Sequence, residues 1–143
     1  MVHVDDMLKL ITRLKPYAGY LLVITTVLIV VVSSIPSIPT LKIQTGKSVI
    51  RLDYFIHFCE YGFLAFLAFL TFTGSNFNMH YPKLMLITFC VVCFALFDEL
   101  HQKLIPGRVF NIKDIISDLA GIAGALVFSL IIFRMIACNR LKQ

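Results

Sequence analysis

Four apolar stretches, each about as long as a membrane is thick, constrain this chain more than any other feature. They cover about residues 17–35, 54–73, 84–104 and 115–136. A helix needs about 20 mainly apolar residues to cross the hydrocarbon core of a bilayer. Backbone inside lipid must also satisfy its own hydrogen bonds, which a helix does. The sequence therefore predicts an all-α fold, an integral membrane four-helix bundle with short loops, as a single domain over residues 1–143.

Composition agrees with a membrane location. The chain has 143 residues, of which 59% are hydrophobic, and its mean hydropathy is +0.88. That is too apolar for an ordinary soluble domain. The formal net charge is +5, and the basic residues are scattered through the termini and connections. Such a spread fits contacts with anionic membrane lipids, and we expect no nucleic-acid binding because that needs a concentrated basic face.

The N-terminal region allows two interpretations. The first apolar stretch is longer than the core of a secretory signal, so we expect it to be retained as a helix. Before it, apolar residues recur at helical spacing opposite Lys9 and Arg13; they are Met7, Leu8, Ile11 and Leu14. This pattern predicts either a short helix lying in the membrane interface or an extension of the first span.

The connections and the topology are less constrained. Pro36 and Pro39 end the first helix, and the connection from there to Arg51 is predicted to be irregular. Lys and Arg residues divide almost evenly between the two sides, with a slight excess beside the termini. That excess favours both termini in the cytoplasm.

The four cysteines do not indicate a disulfide framework. Cys59, Cys90 and Cys93 lie inside apolar stretches, and Cys138 follows the last one. Cys90 and Cys93 have the spacing of a redox or zinc motif, but their neighbours are apolar. We expect buried thiols that act as small hydrophobic side chains.

Ionisable side chains interrupt three of the apolar stretches at matching ends. The groups are Asp53, His57, Glu60 and Tyr61 near the second, Asp98, Glu99 and Gln102 with Arg108 after the third, and Asp114 and Asp118 in the fourth. Charged groups in hydrocarbon are costly and need partners or water. Because the start of the second span, the end of the third and the start of the fourth share one membrane face, we predict a single polar site there.

This combination of groups can support several kinds of chemistry. Two neighbouring carboxyl groups do not readily ionise together because their negative charges repel. One of them can therefore stay protonated as a general acid, while another carboxylate or His57 serves as base. The oxygen-rich set can also hold a divalent metal. Arg108, after Pro106 and Gly107, can clamp a phosphate or carboxylate. The alternative is an internal network that holds three helices in register.

The roles are assigned to residues as follows. Candidate catalytic residues are His57, Asp98, Glu99, Gln102 and Arg108, and candidate substrate-binding residues are Asp53, Glu60, Tyr61, Arg108, Asp114 and Asp118.

Small residues recur four apart in the fourth stretch, including Ser117, Gly121 and Ala125, and separately Ala120 and Gly124. Small faces let helix backbones approach closely. Packing within the chain is the first interpretation of this face, and an oligomer formed through Gly121 and Gly124 is the second.

The spacing of the polar residues resembles the VanZ-like membrane protein family over nearly the whole chain. The resemblance lies in Asp53-x-x-x-His57-Phe-x-x-Tyr61, Asp98-Glu99-x-x-Gln102-x-x-x-Pro106-Gly-Arg108 and Asp114-x-x-x-Asp118-x-x-Gly121. Two positions depart from it. The family usually has Lys where this chain has Tyr54, and commonly Asn where it has Asp118, which alters the charge of the site.

The resemblance implies a bacterial cytoplasmic-membrane protein of a family whose namesake is associated with teicoplanin resistance. Teicoplanin is a lipoglycopeptide that acts on cell-wall precursors at the outer leaflet. By analogy, the expected function is an envelope factor that binds or modifies a lipid-linked or headgroup-bearing substrate there.

Two further functions remain open at this point. The protein can be a non-catalytic accessory that binds an antibiotic or precursor, or a small proton-coupled exporter. The exporter is less favoured because such transporters need an acid reachable from both sides, whereas these acids gather at one end. The sequence does not decide whether the chain is an enzyme. It shows no Gly-x-Ser-x-Gly elbow, which argues against a serine nucleophile.

Overall fold

The computed structural model describes residues 4–37, 42–45 and 48–140, and helices dominate that part of the chain. They are α1 (Val4–Leu14), a 3₁₀ turn (Lys15–Tyr17), α2 (Ala18–Ser33), α3 (Leu52–Phe72), α4 (Tyr81–Gln102) and α5 (Ile112–Arg140). Four helical runs are long and apolar enough to cross a membrane: Asp5–Ser33, Leu52–Phe72, Tyr81–Gln102 and Ile112–Asn139. The predicted all-α four-helix membrane fold is confirmed, and the protein is a multi-pass membrane protein.

The N-terminal segment extends the first span. Helix α1 continues through the 3₁₀ turn into α2, so that the helical run starts before the first apolar stretch. Leu8 and Ile11 on α1 are buried in the core of the bundle. Pro16 lies in the turn, where its missing N–H costs no regular α-helical hydrogen bond. Of the two interpretations of this segment, the extension is the one observed.

The connection before α3 differs from its prediction. It contains two antiparallel strands, β1 (Lys42–Thr45) and β2 (Ser48–Arg51), with Lys42 opposite Arg51. Prolines at the start of the connection suggested irregular backbone, but the residues that follow are rich in Ile, Val and Thr. β-branched residues favour extended backbone, so the second half of the connection forms a hairpin.

Helix α3 lies at the centre of the bundle and packs most closely against α5. Gly62 and Gly121 form the crossing: a Cβ atom on Gly62 would lie 3.3 Å from the Gly121 carbonyl oxygen. A Cβ atom on Gly121 would collide with the carbonyl oxygen of Phe58. Gly121 is therefore used for packing within the chain, whereas Gly124 is exposed. An oligomer through this face stays a prediction.

The cysteines occupy different surroundings from those predicted. All four are free thiols, and all four are exposed on the surface of the bundle. In a membrane this surface meets lipid tails, which are as apolar as a protein core and give no driving force for burial. The thiols of Cys59, Cys90 and Cys93 are therefore lipid-facing rather than buried, whereas Cys138 lies in the last turn of α5, at the end of its span.

Candidate functional site

Polar side chains from four helices meet at one end of the bundle. We define this polar cluster as Ser33 on α2; Asp53, His57, Glu60 and Tyr61 on α3; Asp98, Glu99 and Gln102 on α4; Arg108 and Asn111 in the α4–α5 loop; and Asp114 and Asp118 on α5. Five of its acids and amides are buried: Asp98, Glu99, Gln102, Asp114 and Asp118. As the sequence predicts, the start of α3, the end of α4 and the start of α5 lie at the same face.

A histidine–carboxylate pair joins α3 to α5. His57 Nδ1 lies 3.0 Å from Asp118 Oδ1, and the side chains are 15% and 2% exposed. The Gly62–Gly121 crossing lies about one turn away along each helix and lets the two backbones approach. Bonding at Nδ1 fixes the imidazole ring, and Nε2 forms no hydrogen bond with any described residue, so it can exchange a proton with a ligand.

Glu99 is fully buried, as is Asp118. It is 1% exposed, and its Oε1 accepts a hydrogen bond of 2.6 Å from the backbone N–H of Asn111. Its Oε2 is buried and has no hydrogen-bond partner within the described part of the chain. His57, Asp114 and Asp118 are close enough to interact with it electrostatically. One oxygen of this carboxyl group is thus open to a ligand, a proton or water.

Asn111 positions the loop beside Glu99. Its Oδ1 accepts from the Lys113 N–H at 3.1 Å, which is a helix N-cap for α5. Its Nδ2 donates to Asp114 Oδ1 at 3.2 Å. This one side chain therefore connects the start of α5 to an acid of that helix, while its backbone holds Glu99.

The residues around His57 and Glu99 form one half of the cluster, and a second half centres on Asp98. Its Oδ2 accepts hydrogen bonds from Ser33 Oγ at 2.9 Å and from Gln102 Nε2 at 3.0 Å. Gln102 lies one helical turn after Asp98, so the two share a face of α4. These bonds tie the end of α2 to the end of α4 and satisfy one oxygen of a buried carboxylate.

Arg108 is held by backbone as well as by side chain. Its guanidinium donates to the Val32 carbonyl oxygen at 2.9 Å, to the Ile35 carbonyl oxygen at 3.3 Å and to Gln102 Oε1 at 3.5 Å. The last carbonyl groups of a helix have no N–H partner within the helix, so a cation that hydrogen-bonds to them is stabilising. A guanidinium has five N–H groups, so two of them have no acceptor among the described residues and can bind an anion. The predicted clamp is therefore partly occupied by the end of α2.

The tight turn before Arg108 requires glycine. Gly107 has φ +79°, and a Cβ atom there would collide with Ser37 Oγ. The Ser37 N–H also donates to the Pro106 carbonyl oxygen at 3.2 Å. The close contact between the two connections places Arg108 against the end of α2.

Glu60 and Tyr61 lie on α3 between the two halves. Glu60 is half-buried and interacts electrostatically with His57, Asp98 and Asp118. Its carboxylate forms no hydrogen bond with the residues that the structure describes. Tyr61 is 1% exposed and lies close to Asp98, but its hydroxyl has no bond of standard geometry to a described residue. Asp53 lies on the same stripe one turn before His57, at the start of α3.

Sequence reasoning missed Ser33 and Asn111. Ser33 is the last residue of α2, whose span carries no charge. The sequence signal for it was a pair of serines, Ser33 and Ser34, at the depth of Asp98. Only Ser33 is buried. The signal for Asn111 was its residue type just before a helix, where Asn is a preferred N-cap. Neither signal indicates which acid the residue would contact.

A preformed metal centre is not present in the described residues. Within 4–37, 42–45 and 48–140, no three His, Cys, Asp or Glu side chains come together in a group that could hold a metal ion. The acids of the cluster are instead divided between hydrogen-bond partners on different helices.

Comparison with known proteins gives one match. The family model described as VanZ/LLP1 matches residues 18–134. The matched region includes the whole polar cluster and leaves out α1. No curated protein and no solved structure matches the chain.

Proposed function

The chain belongs to the VanZ/LLP1 family, and we propose that its polar cluster binds or modifies the headgroup of a lipid-linked cell-envelope substrate. In this proposal the protein resides in the bacterial cytoplasmic membrane, with both termini in the cytoplasm and the cluster at the outer face. Teicoplanin acts on precursors at that face, so the proposal includes an association with resistance to this glycopeptide.

The observation that carries the proposal is the free oxygen of Glu99. Buried polar groups in native proteins are almost always hydrogen-bonded, and an exception calls for an explanation. A network that only held helices in register would be stabilised by pairing all its groups, because an unpaired buried group costs about 1–3 kcal/mol. Glu99 Oε2 lacks such a partner among the described residues, beside the His57–Asp118 pair. A ligand group that donates a hydrogen bond would complete it.

The charge of the cluster indicates which chemical groups of a lipid headgroup can bind there. It holds six carboxyl groups, Asp53, Glu60, Asp98, Glu99, Asp114 and Asp118, against the single guanidinium of Arg108 and the imidazole of His57. A surplus of acceptors favours a ligand with hydroxyl or amine donors, such as a sugar or an amino group. An anionic part of the same ligand can reach the two free N–H groups of Arg108.

If a bond is broken, hydrolysis or group transfer fits these residues best. His57, oriented by Asp118, would take the proton of the attacking water or hydroxyl through Nε2. Glu99, in its protonated form, would donate a proton to the leaving group. Asp98 and Gln102 are hydrogen-bonded to each other and to Ser33, and they would position the substrate rather than transfer protons. The alternative without turnover uses the same contacts for binding alone.

The proposal can be tested with purified protein in lipid nanodiscs and a lipid-linked cell-wall precursor. We expect saturable binding that Glu99→Gln weakens by about tenfold or more, which corresponds to about 1.4 kcal/mol. Ser129→Ala is the matched control, since Ser129 Oγ is also buried without a described partner but lies farther along α5. Release of product would establish an enzyme, and saturable binding alone would establish the accessory role. Absence of binding, or equal binding by both variants, would contradict the proposal.

A further inference from the structure

An apolar groove runs along the surface of the bundle between α2, α3 and α4. Its volume is about 520 Å³, within the range of about 300–1,000 Å³ that is usual for ligand pockets. Its walls are apolar apart from one charged group; representative lining residues are Leu22, Thr26, Leu64, Ala68, Leu86 and Cys90. The polar cluster does not use any of these residues.

The groove covers the half of the membrane away from the polar cluster. Along α4 it extends from Lys83, in the first turn, to Phe94, in the middle of the helix. At 1.5 Å per residue this stretch is about 16 Å long. That is about half of the 30 Å hydrocarbon core. The groove therefore has about the length of one leaflet, from the membrane surface beside Lys83 to the centre of the bilayer beside Phe94.

The end of the groove at the membrane surface carries a positive charge that has no acidic partner among the described residues. Lys83 is the one charged residue in the lining, and it is exposed. Its ammonium group lies 6.0 Å from the centre of the Phe72 ring, and no ion pair with a described acid is present. Lysine at the interface attracts anionic headgroups, while an apolar groove open to the bilayer accepts an acyl chain.

We propose that this groove is a binding site for an anionic phospholipid of the leaflet opposite the polar cluster. One acyl chain lies along α4 between α2 and α3, and the phosphate of the headgroup contacts Lys83. At its end in the middle of the bilayer the groove borders the polar cluster, because the Phe94 ring lies 6.2 Å from the Tyr61 ring, centre to centre. Tyr61 in turn lies beside Asp98.

The absence of tryptophan from the chain allows a direct test. Cys90 lines the groove, whereas Cys93 on the same helix does not, and both thiols are exposed. Cys90→Trp and Cys93→Trp each carry a single tryptophan, whose fluorescence is quenched by brominated acyl chains. Each protein is placed in phosphatidylcholine vesicles that contain a small fraction of brominated phosphatidylglycerol or brominated phosphatidylcholine.

We expect brominated phosphatidylglycerol to quench Cys90→Trp at least twofold more than brominated phosphatidylcholine at the same fraction. The two lipids should quench Cys93→Trp equally, and Lys83→Gln in the Cys90→Trp protein should abolish the difference. Equal quenching at Cys90→Trp, or a preference that survives Lys83→Gln, would overturn the proposal. Weak quenching by both lipids would mean that protein, such as a second copy, covers the groove, and would also overturn it.

A second measurement avoids the tryptophan substitution. Native mass spectrometry of the unmodified protein should show one bound phosphatidylglycerol that Lys83→Gln loses. Lys103→Gln, at the opposite end of α4, is the matched control and should keep it. Equal lipid retention by both variants would contradict the proposal.

Discussion

The individual residues that define the polar cluster are costly to place in a membrane. Asp118 is 1% exposed and is stabilised by His57, while Asp98 is stabilised by Ser33 and Gln102. Among the described residues, Glu99 has a hydrogen-bond partner at one oxygen only. Intramembrane acids without full partners are functional candidates by default, because stability alone would remove them. Glu99 is therefore the acid of the cluster for which a functional role is best supported.

The His57–Asp118 pair gives a prediction at this scale. Asp118→Asn keeps an oxygen that can accept from His57 Nδ1, so its free energy of unfolding should stay close to that of the unmodified protein. Asp118→Leu removes the acceptor and leaves a half-buried imidazole unpaired, at a cost of about 1–3 kcal/mol. Denaturant unfolding in detergent micelles measures both. Equal stability of the two variants would contradict the assigned hydrogen bond.

The sequence predicted that most residues of the polar cluster lie at one membrane face, but it did not predict which of them contact each other. Helical periodicity placed Asp53, His57 and Glu60 on one stripe of α3, because that spacing depends only on the geometry of the helix. Which acid meets His57 depends on the rotation of α5 relative to α3. That rotation is set by the Gly62–Gly121 contact, a tertiary feature that periodicity does not determine.

At the scale of elements, the closest contact in the bundle is the crossing of α3 and α5. Backbone atoms of Phe58 and Gly62 on α3 fill the space that a side chain at Gly121 would need. Close approach of this kind lets many weak contacts and short polar pairs form between helices in lipid. The crossing thereby controls the geometry of the polar cluster one turn away.

A single methyl group at the crossing should be disruptive. Gly121→Ala would drive a Cβ atom into the Phe58 carbonyl oxygen, so we expect a loss of about 2 kcal/mol or more of unfolding free energy from overpacking. Gly124→Ala is the matched control, since its Cβ atom would meet only Phe58 Cζ at 3.8 Å. Thermal unfolding in the same detergent compares them. Equal melting temperatures would show that α3 and α5 do not cross as described.

The connections between elements were the least predictable part of the fold. The hairpin of β1 and β2 forms where prolines suggested irregular backbone. The contact of Ser37 with the Pro106–Gly107 turn joins two loops that are distant in sequence. Both depend on positive φ angles or on strand pairing, which weak local preferences do not fix. The sequence therefore predicted Arg108 as an anion clamp but not its hydrogen bonds to the end of α2.

At the scale of the whole molecule, the bundle has two different ends. The polar cluster lies at one end, and the groove opens beside Lys83 at the other. Lipid-facing side chains between the two ends are apolar, as expected for a protein solvated by hydrocarbon. An orientation with the cluster outward would place the proposed headgroup site at the outer leaflet and the proposed phospholipid site in the inner one.

The orientation can be measured with a charged maleimide that does not cross membranes. Cys138 lies in the last turns of α5 and Lys103 just after α4, so they are at opposite membrane faces. In intact protoplasts, Lys103→Cys in a protein without other cysteines should react at once. Cys138, as the single cysteine, should react only after permeabilisation. The reverse pattern would place the cluster in the cytoplasm and contradict the proposed outer-leaflet role.

If the polar cluster carries an envelope function, substitutions in it should change antibiotic susceptibility. A sensitive Gram-positive host would make, at matched membrane levels, the unmodified protein, Glu99→Gln, His57→Ala, Arg108→Ala and the control Lys103→Ala. Teicoplanin and vancomycin would be compared for each strain. We expect teicoplanin-selective protection by the unmodified protein and by Lys103→Ala, and loss of this protection in the three cluster variants. Protection that survives all three cluster substitutions, or no protection from the unmodified protein, would contradict this expectation.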